Sequence, residues 1–209
     1  MANVTIGGFR PVGTLSGASL PTPMVREVAN NYGTALGVGD VLAAATDGTV
    51  TVAAASQNGA LLGYATGFSY VVSGKRTYSN YLPASTTFSP TTVGSRNASL
   101  VEFIPATPDV ICAVQATAAT YTTIANWVGA IQSNADLTAG SPDATTGWST
   151  FSLDASTVAT TTANFRIVGI RGYSLAGLEL GTNDPTVIRF EVLVVCSESC
   201  WCTGTATGV

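Results

Sequence analysis

Histidine is absent from all 209 residues. That removes the usual general base, the Ser-His-Asp triad and most catalytic zinc sites. Lysine occurs once, at Lys75, and the seven arginines are scattered. A groove for nucleic acid needs clustered Lys and Arg, so no nucleic-acid partner is expected. Charged residues make up 10% of the chain, against roughly 25% in soluble proteins generally. So little charge suits a surface largely covered by neighbours better than that of a free cytosolic enzyme. No apolar run reaches the roughly eighteen residues of a membrane helix, so no membrane span is expected. The N-terminal MANVTIGGFRPVG has no basic stretch leading into an apolar one, so no Sec signal peptide is expected. The expected folding environment is a reducing cytosol, with Cys112, Cys196, Cys200 and Cys202 as thiols.

What fills the chain is Ala, Thr, Ser, Gly and Val, small residues compatible with β-structure. The stretch Phe165 to Val195 is the most strand-like. Phe165, Ile167 and Gly169 alternate with Arg166, Val168 and Ile170, and Val187 to Val195 is dense in β-branched and aromatic residues. Gly181, Asn183, Asp184 and Pro185 lie between. That is strand, connection, strand, apolar enough for the centre of a sheet. Arg166, Arg171 and Arg189 are expected to leave the sheet or pair with acids.

Residues 1–38 differ from the rest. Gly7, Gly8, Pro11, Gly13, Gly17, Pro21 and Pro23 break any apolar period, which predicts an extended, mostly irregular arm. Its apolar points (Val4, Ile6, Phe9, Val12, Leu15, Leu20, Met24, Val25) are expected to wrap the chain's own domain or lie along a partner. Loss of residues 1–25 is expected to leave the remainder folded. From Gly39 the pattern is β. Val41–Ala45 and Val50–Ala55 flank Asp47-Gly48, a hairpin signal for a tight primed turn. Ala60–Thr66 reads as a strand ended by Gly67, and Phe68–Val72 as another, followed by the Ser73-Gly74-Lys75 turn. Tyr78–Thr92 reads as a loop, Ser99–Ile104 and Val110–Thr117 as strands. Within 121–132, Ile124, Trp127, Val128 and Ile131 fit helical spacing, while Tyr121, Thr122, Thr123 and Gly129 disfavour a helix. Asn134–Trp148 reads as a long loop. The expected architecture is all-β, antiparallel sheets in a sandwich or barrel. Its divisions are an extended N-terminal arm (1–38), β-subdomains at 39–106 and 107–196, and a small polar tail (197–209).

No constellation for chemistry emerges, so no catalytic, cofactor or metal residues are assigned and the chain is not expected to be an enzyme. The acids Asp40, Asp47, Asp109, Asp136, Asp143, Asp154 and Asp184 read as turn formers, whose carboxylates bond nearby amides. Cys196, Cys200 and Cys202 have spacing unlike a zinc knuckle, and Cys112 and Cys196 sit in apolar strands where a thiol acts as a small hydrophobe. Gly37-Val38-Gly39 lacks the Lys-Ser/Thr and helix of a phosphate loop. Trp127, Trp148, Trp201, Tyr78 and Tyr81 would suit a sugar platform, but packing is the expected role.

Taken in order, several segments resemble a family of tailed-phage and prophage capsid decoration, or cement, proteins. They are Gly8-Phe9-Arg10-Pro11-Val12 with Leu15-Ser16-Gly17, Gly33-Thr34-Ala35-Leu36, Gly39-Asp40-Val41, Asp47-Gly48-Thr49-Val50 and Leu62-Gly63-Tyr64. Pro108-Asp109-Val110, Val114-Gln115-Ala116, Asn134-Ala135-Asp136, Ala139-Gly140 and Thr146-Gly147 follow. Leu153-Asp154-Ala155-Ser156-Thr157, Phe165-Arg166-Ile167-Val168 and the strand Phe190–Val195 complete the set. The family's last strand is often followed by a polar segment ending in His, where this chain has Cys196 to Cys202. The resemblance implies a β-rich subunit, sometimes trimeric, on the outer capsid face. Its expected partners are the major capsid protein and itself, with no cofactor or activity. The expected location is the virion, after folding in the host cytoplasm. Rival expectations are a carbohydrate-binding head fibre and a tail structural protein.

Overall fold

The computed structural model describes residues 7–55, 61–89, 94–117, 121–159, 163–172 and 190–201. Along the chain run β1 (Arg10–Thr14), β2 (Met24–Glu27), β3 (Leu36–Gly37), β4 (Val41–Ala44), β5 (Val50–Val52), β6 (Leu61–Val72), β7 (Lys75–Ser79), β8 (Tyr81–Leu82), β9 (Leu100–Pro105) and β10 (Val110–Gln115). Then come the helix α1 (Ile124–Gly129), β11 (Asn134–Ala135), β12 (Leu137–Thr138), β13 (Ser152–Leu153), a 3-10 turn at Ala155–Thr157, β14 (Phe165–Ile170) and β15 (Glu191–Cys196). The fold is all-β, as its β-branched and small residues dictate.

Two antiparallel sheets carry the architecture. The first has the order β1-β10-β15-β14-β11, and the second β2-β9-β6-β4-β5, with β7 also on β6. β14 and β15 pair antiparallel at the heart of the first sheet. The connection between them, with Gly181 to Arg189, lies outside the described residues. Strands within 39–106 make up the second sheet except for β2, and strands within 107–196 make up the first except for β1. They share one core: Val41, Tyr64 and Ile104 from one sheet meet Cys112, Phe165, Ile167 and Val194 from the other. A further apolar cluster (Leu36, Leu42, Leu62, Leu82, Phe103) lies on the other face of the second sheet. β4 and the start of β6 are therefore buried on both faces, which is why Val41-Leu42 and Leu61-Leu62 are apolar without alternation.

The segment expected to be a mostly irregular arm is tied down by three short strands, which take 11 of its 32 described residues. β1 pairs with β10, β2 with β9 and β3 with β8, so residues 7–38 lie along both sheets of their own domain. Glycine and proline broke the periodicity but not the pairing: Pro11 sits on an edge strand, where a missing N–H costs little. Phe9 is fully buried in the shared core. Its ring stacks on Phe165 at 4.5 Å and on Tyr64 at 6.2 Å.

Other local expectations shift for physical reasons. The Asp47-Gly48 hairpin forms, but only Gly48 has positive φ (84°), so the turn is not primed. The primed turn is Ser73-Gly74, with φ of 50° and 77° between paired Val72 and Lys75. Gly67 does not end a strand. β6 runs through it, with a bulge between Ala65 and Gly67. The expected loop after Tyr78 includes the end of β7 and all of β8. In 121–132 the helix wins over its breakers: Thr123 is its N-cap, accepting from Asn126 N–H at 3.3 Å. Trp127 anchors it, buried against Phe190 and donating its indole N–H to Tyr121 O at 3.0 Å.

Candidate interaction surface

Between β1 and β2 the chain crosses from the edge of one sheet to the edge of the other. Its start is pinned. Leu15 N–H donates to Asp109 O at 2.8 Å, and the amide and hydroxyl of Ser16 donate to the Asp109 carboxylate at 2.9 and 2.8 Å. β1 carries a register shift between Pro11 and Gly13, and Val12 stands out to solvent there. The described residues expose eight large hydrophobic side chains, and five of them, Val12, Leu15, Leu20, Met24 and Val25, fall in this crossing and its flanks. Leu15 and Val25 are each more than half exposed. Scattered exposed leucines are ordinary; five large apolar side chains along one ribbon make it the candidate interaction surface.

The predicted turn acids divide into two kinds. Asp47 accepts from Thr49 N–H and Oγ1 at 2.9 and 2.6 Å, and these bonds hold its pKa below the usual value. Asp143 and Asp154 cap their turns at Thr145 and Ser156 in the same manner, whereas Asp136 and Asp109 accept from residues far along the chain, Asn164 and Ser16. Asp184 lies outside the described residues. Asp40 is different: it is fully buried. Its Oδ2 accepts from Gly37 N–H at 2.7 Å. Burial raises its pKa to about 7, and the neighbouring Ser149 hydroxyl and the Gly37 amide offset only part of that rise. The carboxyl sits where three backbone segments meet too closely for side chains. A Cβ on Gly8 would lie 2.4 Å from Gly39 O, and one on Gly37 would lie 2.5 Å from Pro142 Cβ. Gly37-Val38-Gly39 is thus a close-packing corner. The sequence hint was an acid set directly against an apolar run, Asp40-Val41-Leu42.

Glu191 was also missed. It opens β15 and receives Arg10 from β1 on one oxygen and Arg171, just beyond β14, on the other. One carboxylate thus ties the N-terminal strand to the sheet centre. Arg166 is exposed, and Arg189 lies outside the described residues.

Cys112 and Cys196 are buried, and Cys200 is half-buried; Cys202 lies outside the described residues. Burial pushes the Cys112 thiol well up, away from reactive thiolate. Among the described residues no three His, Cys, Asp or Glu side chains gather as a metal site would require, and no helix is long and apolar enough to cross a membrane. Of the five aromatics weighed as a sugar platform, Trp127 is in the core, Trp201 donates to Leu62 O at 2.7 Å and Tyr78 stands exposed on β7, while Tyr81 pairs with Gly37 next to the Val38–Trp148 bridge. The described start of the tail is therefore docked, with Glu198 O accepting from Leu61 N–H and Cys200 N–H donating to Leu61 O. The chain matches no protein-family model, no curated protein and no solved structure.

Proposed function

We propose that the protein is a structural subunit of a virus particle, a decoration protein that binds the outer face of the major capsid protein lattice and bridges capsomers. The observation that carries this reading is the exposed apolar ribbon from Val12 to Val25. It runs between two sheet edges on a chain with 10% charge, and a partner surface that covered it would remove apolar area from water. The ordered family resemblance supplies the identity of that partner. A subunit spanning two capsomers adds contacts that must break before a pressurised shell opens. It binds only where the capsomers are correctly spaced.

The test is occupancy. Expanded heads lacking the protein are mixed with the full chain or with a Val12→Ser, Leu15→Ser, Val25→Thr variant and sedimented. The substituted side chains are solvent-exposed, so each change should cost no more than about 0.5 kcal/mol and the variant should stay folded. Its affinity should fall by more than about tenfold. Full occupancy by the variant, or no binding by the parent, overturns the reading. Copy number near that of the capsid protein separates this role from a tail component.

The same reading includes a homotrimer, since a closed ring buries one patch on every subunit and leaves none open. Light scattering should give three times the 21.2 kDa chain mass. A monomer that also sits singly on the particle removes the trimer and leaves the decoration role.

A further inference from the structure

β6 and β9 extend beyond the first sheet. On β9, Ile104 points into the shared core, while Glu102, two residues away on the same face, is exposed. On β6, Tyr64 is in that core, and beyond the bulge Gly67 pairs with Glu102 and so continues the face. The face that the first sheet covers at one end is therefore bare at the other. There it forms a hollow of about 490 Å³, floored by Gly67 and Ser69 and walled by Val25, Glu102, Tyr78 and Asn80.

Gly67 is the telling residue. Its φ lies outside the left-handed region, so the backbone does not demand glycine. A Cβ there would meet nothing within 4 Å, so packing does not demand it either. Glycine inside a strand weakens it and marks either a bulge or the close approach of something else; Gly67 follows the β6 bulge and also leaves the face above it open. Tyr78, paired with Ser69 across β6 and β7, is 81% exposed and stands over the hollow. The Arg76 guanidinium is engaged in the floor, donating to Ser69 Oγ at 3.0 Å and to Ala98 O at 3.2 Å. Glu102 has no ion pair among the described residues. The hollow thus offers an aromatic face, the Glu102 carboxylate, the Arg76 guanidinium, which its neutral partners leave charged, and neutral amide and hydroxyl groups. With one charge of each sign, that set favours neither anions nor cations and suits a neutral ligand with one apolar face and many hydroxyls. The volume falls in the range of small-molecule sites, roughly 300–1,000 Å³.

We propose that the hollow over Gly67 binds a neutral saccharide, its apolar face stacked on Tyr78 and its hydroxyls donated to Glu102 and Asn80. The site lies apart from the Val12–Leu20 stretch and stands whether or not the protein decorates a capsid. Val25 is the one side chain common to both surfaces.

Saturation-transfer NMR on the full chain tests it, with maltose, cellobiose, lactose and diacetylchitobiose each at about 10 mM, a range that detects weak binding, and a neutral-glycan array alongside. At least one sugar should receive saturation. Tyr78→Ala and Gly67→Val should abolish the signal, and Glu102→Gln should weaken binding by about tenfold. Gly67→Val should at the same time keep or raise the thermal midpoint, because a β-branched residue suits a strand with room for it. Silence from every sugar and the array overturns the proposal, as does a signal that survives Gly67→Val. A midpoint that falls in Gly67→Val gives the glycine a structural reason and overturns it too. So does a Gly67→Val change in self-association, which would seat a second copy in the hollow instead.

Discussion

Unfolding midpoints measured between pH 4 and pH 8 should fall as pH rises, and Asp40 should be the cause. Its carboxyl has an ordinary value of 3.8 and is raised to about 7 in the fold. Between those values the unfolded chain has released the proton and the native chain still holds it. The native state then binds more protons, so stability decreases with rising pH across that window and levels off above it. A shift of this size corresponds to something on the order of 4 kcal/mol between the two ends. With no histidine in the chain, no imidazole titration overlaps the window, and no charged neighbour contributes to the Asp40 shift. Asp40→Asn keeps an acceptor for Gly37 N–H and removes the charge. It should flatten the slope and stabilise the protein at pH 8 by about 1–3 kcal/mol, the scale of a buried group relieved of its desolvation cost. Denaturant titrations at several pH values read this directly. A flat parent profile, or an Asp40→Asn profile with the parent's slope, would refute it.

Phe9→Ala should cost about 3–5 kcal/mol, the range for emptying a buried aromatic site. Phe9 precedes β1, donates its N–H to Gly39 O at 2.9 Å and fills the space between Phe165 of one sheet and Tyr64 of the other. Both neighbours belong to the rigid interior, so the cavity should not collapse. Phe9→Leu, which refills part of it, should lose much less. Equilibrium denaturation measures both. A Phe9→Ala loss under about 1 kcal/mol would mean that the N-terminal segment is an ornament on a core complete without it. The same contact revises the expectation that the remainder stays folded without residues 1–25: their loss takes away Phe9 and one of the two strands paired with β10.

The sequence disclosed structure wherever a local rule decides it. The β14–β15 pairing was visible in Phe165 to Val195, because β-branched runs flanked by turn residues have few other uses. The hairpin around Asp47-Gly48 was visible too. What stayed hidden depended on distant partners. Gly67 looks like a terminator from its neighbours alone; only the pairing with β9 makes it a bulge and an open floor. Residues 7–38 look unstructured because edge strands tolerate Pro and Gly, and their partners lie far along the chain. Asp40 looks like any turn acid until Ser149 and the glycine corner close over it. The Glu102, Tyr78 and Val25 walls come from three strands with no shared motif.

Ribosomes deliver β1 and β2 early and their partners much later: Arg10 pairs with Ala113, and Met24 with Phe103. The first strands made must therefore wait while the interior sheets assemble, a non-local order of closure that slows folding. Throughout that wait β9 and β10 present open edges with unpaired ladder groups. An arm from a neighbouring nascent chain has the same sequence and fits those edges as well as the chain's own. Synthesis on a crowded polysome, rather than life as a finished subunit, is the stage at which two copies are most apt to exchange strands.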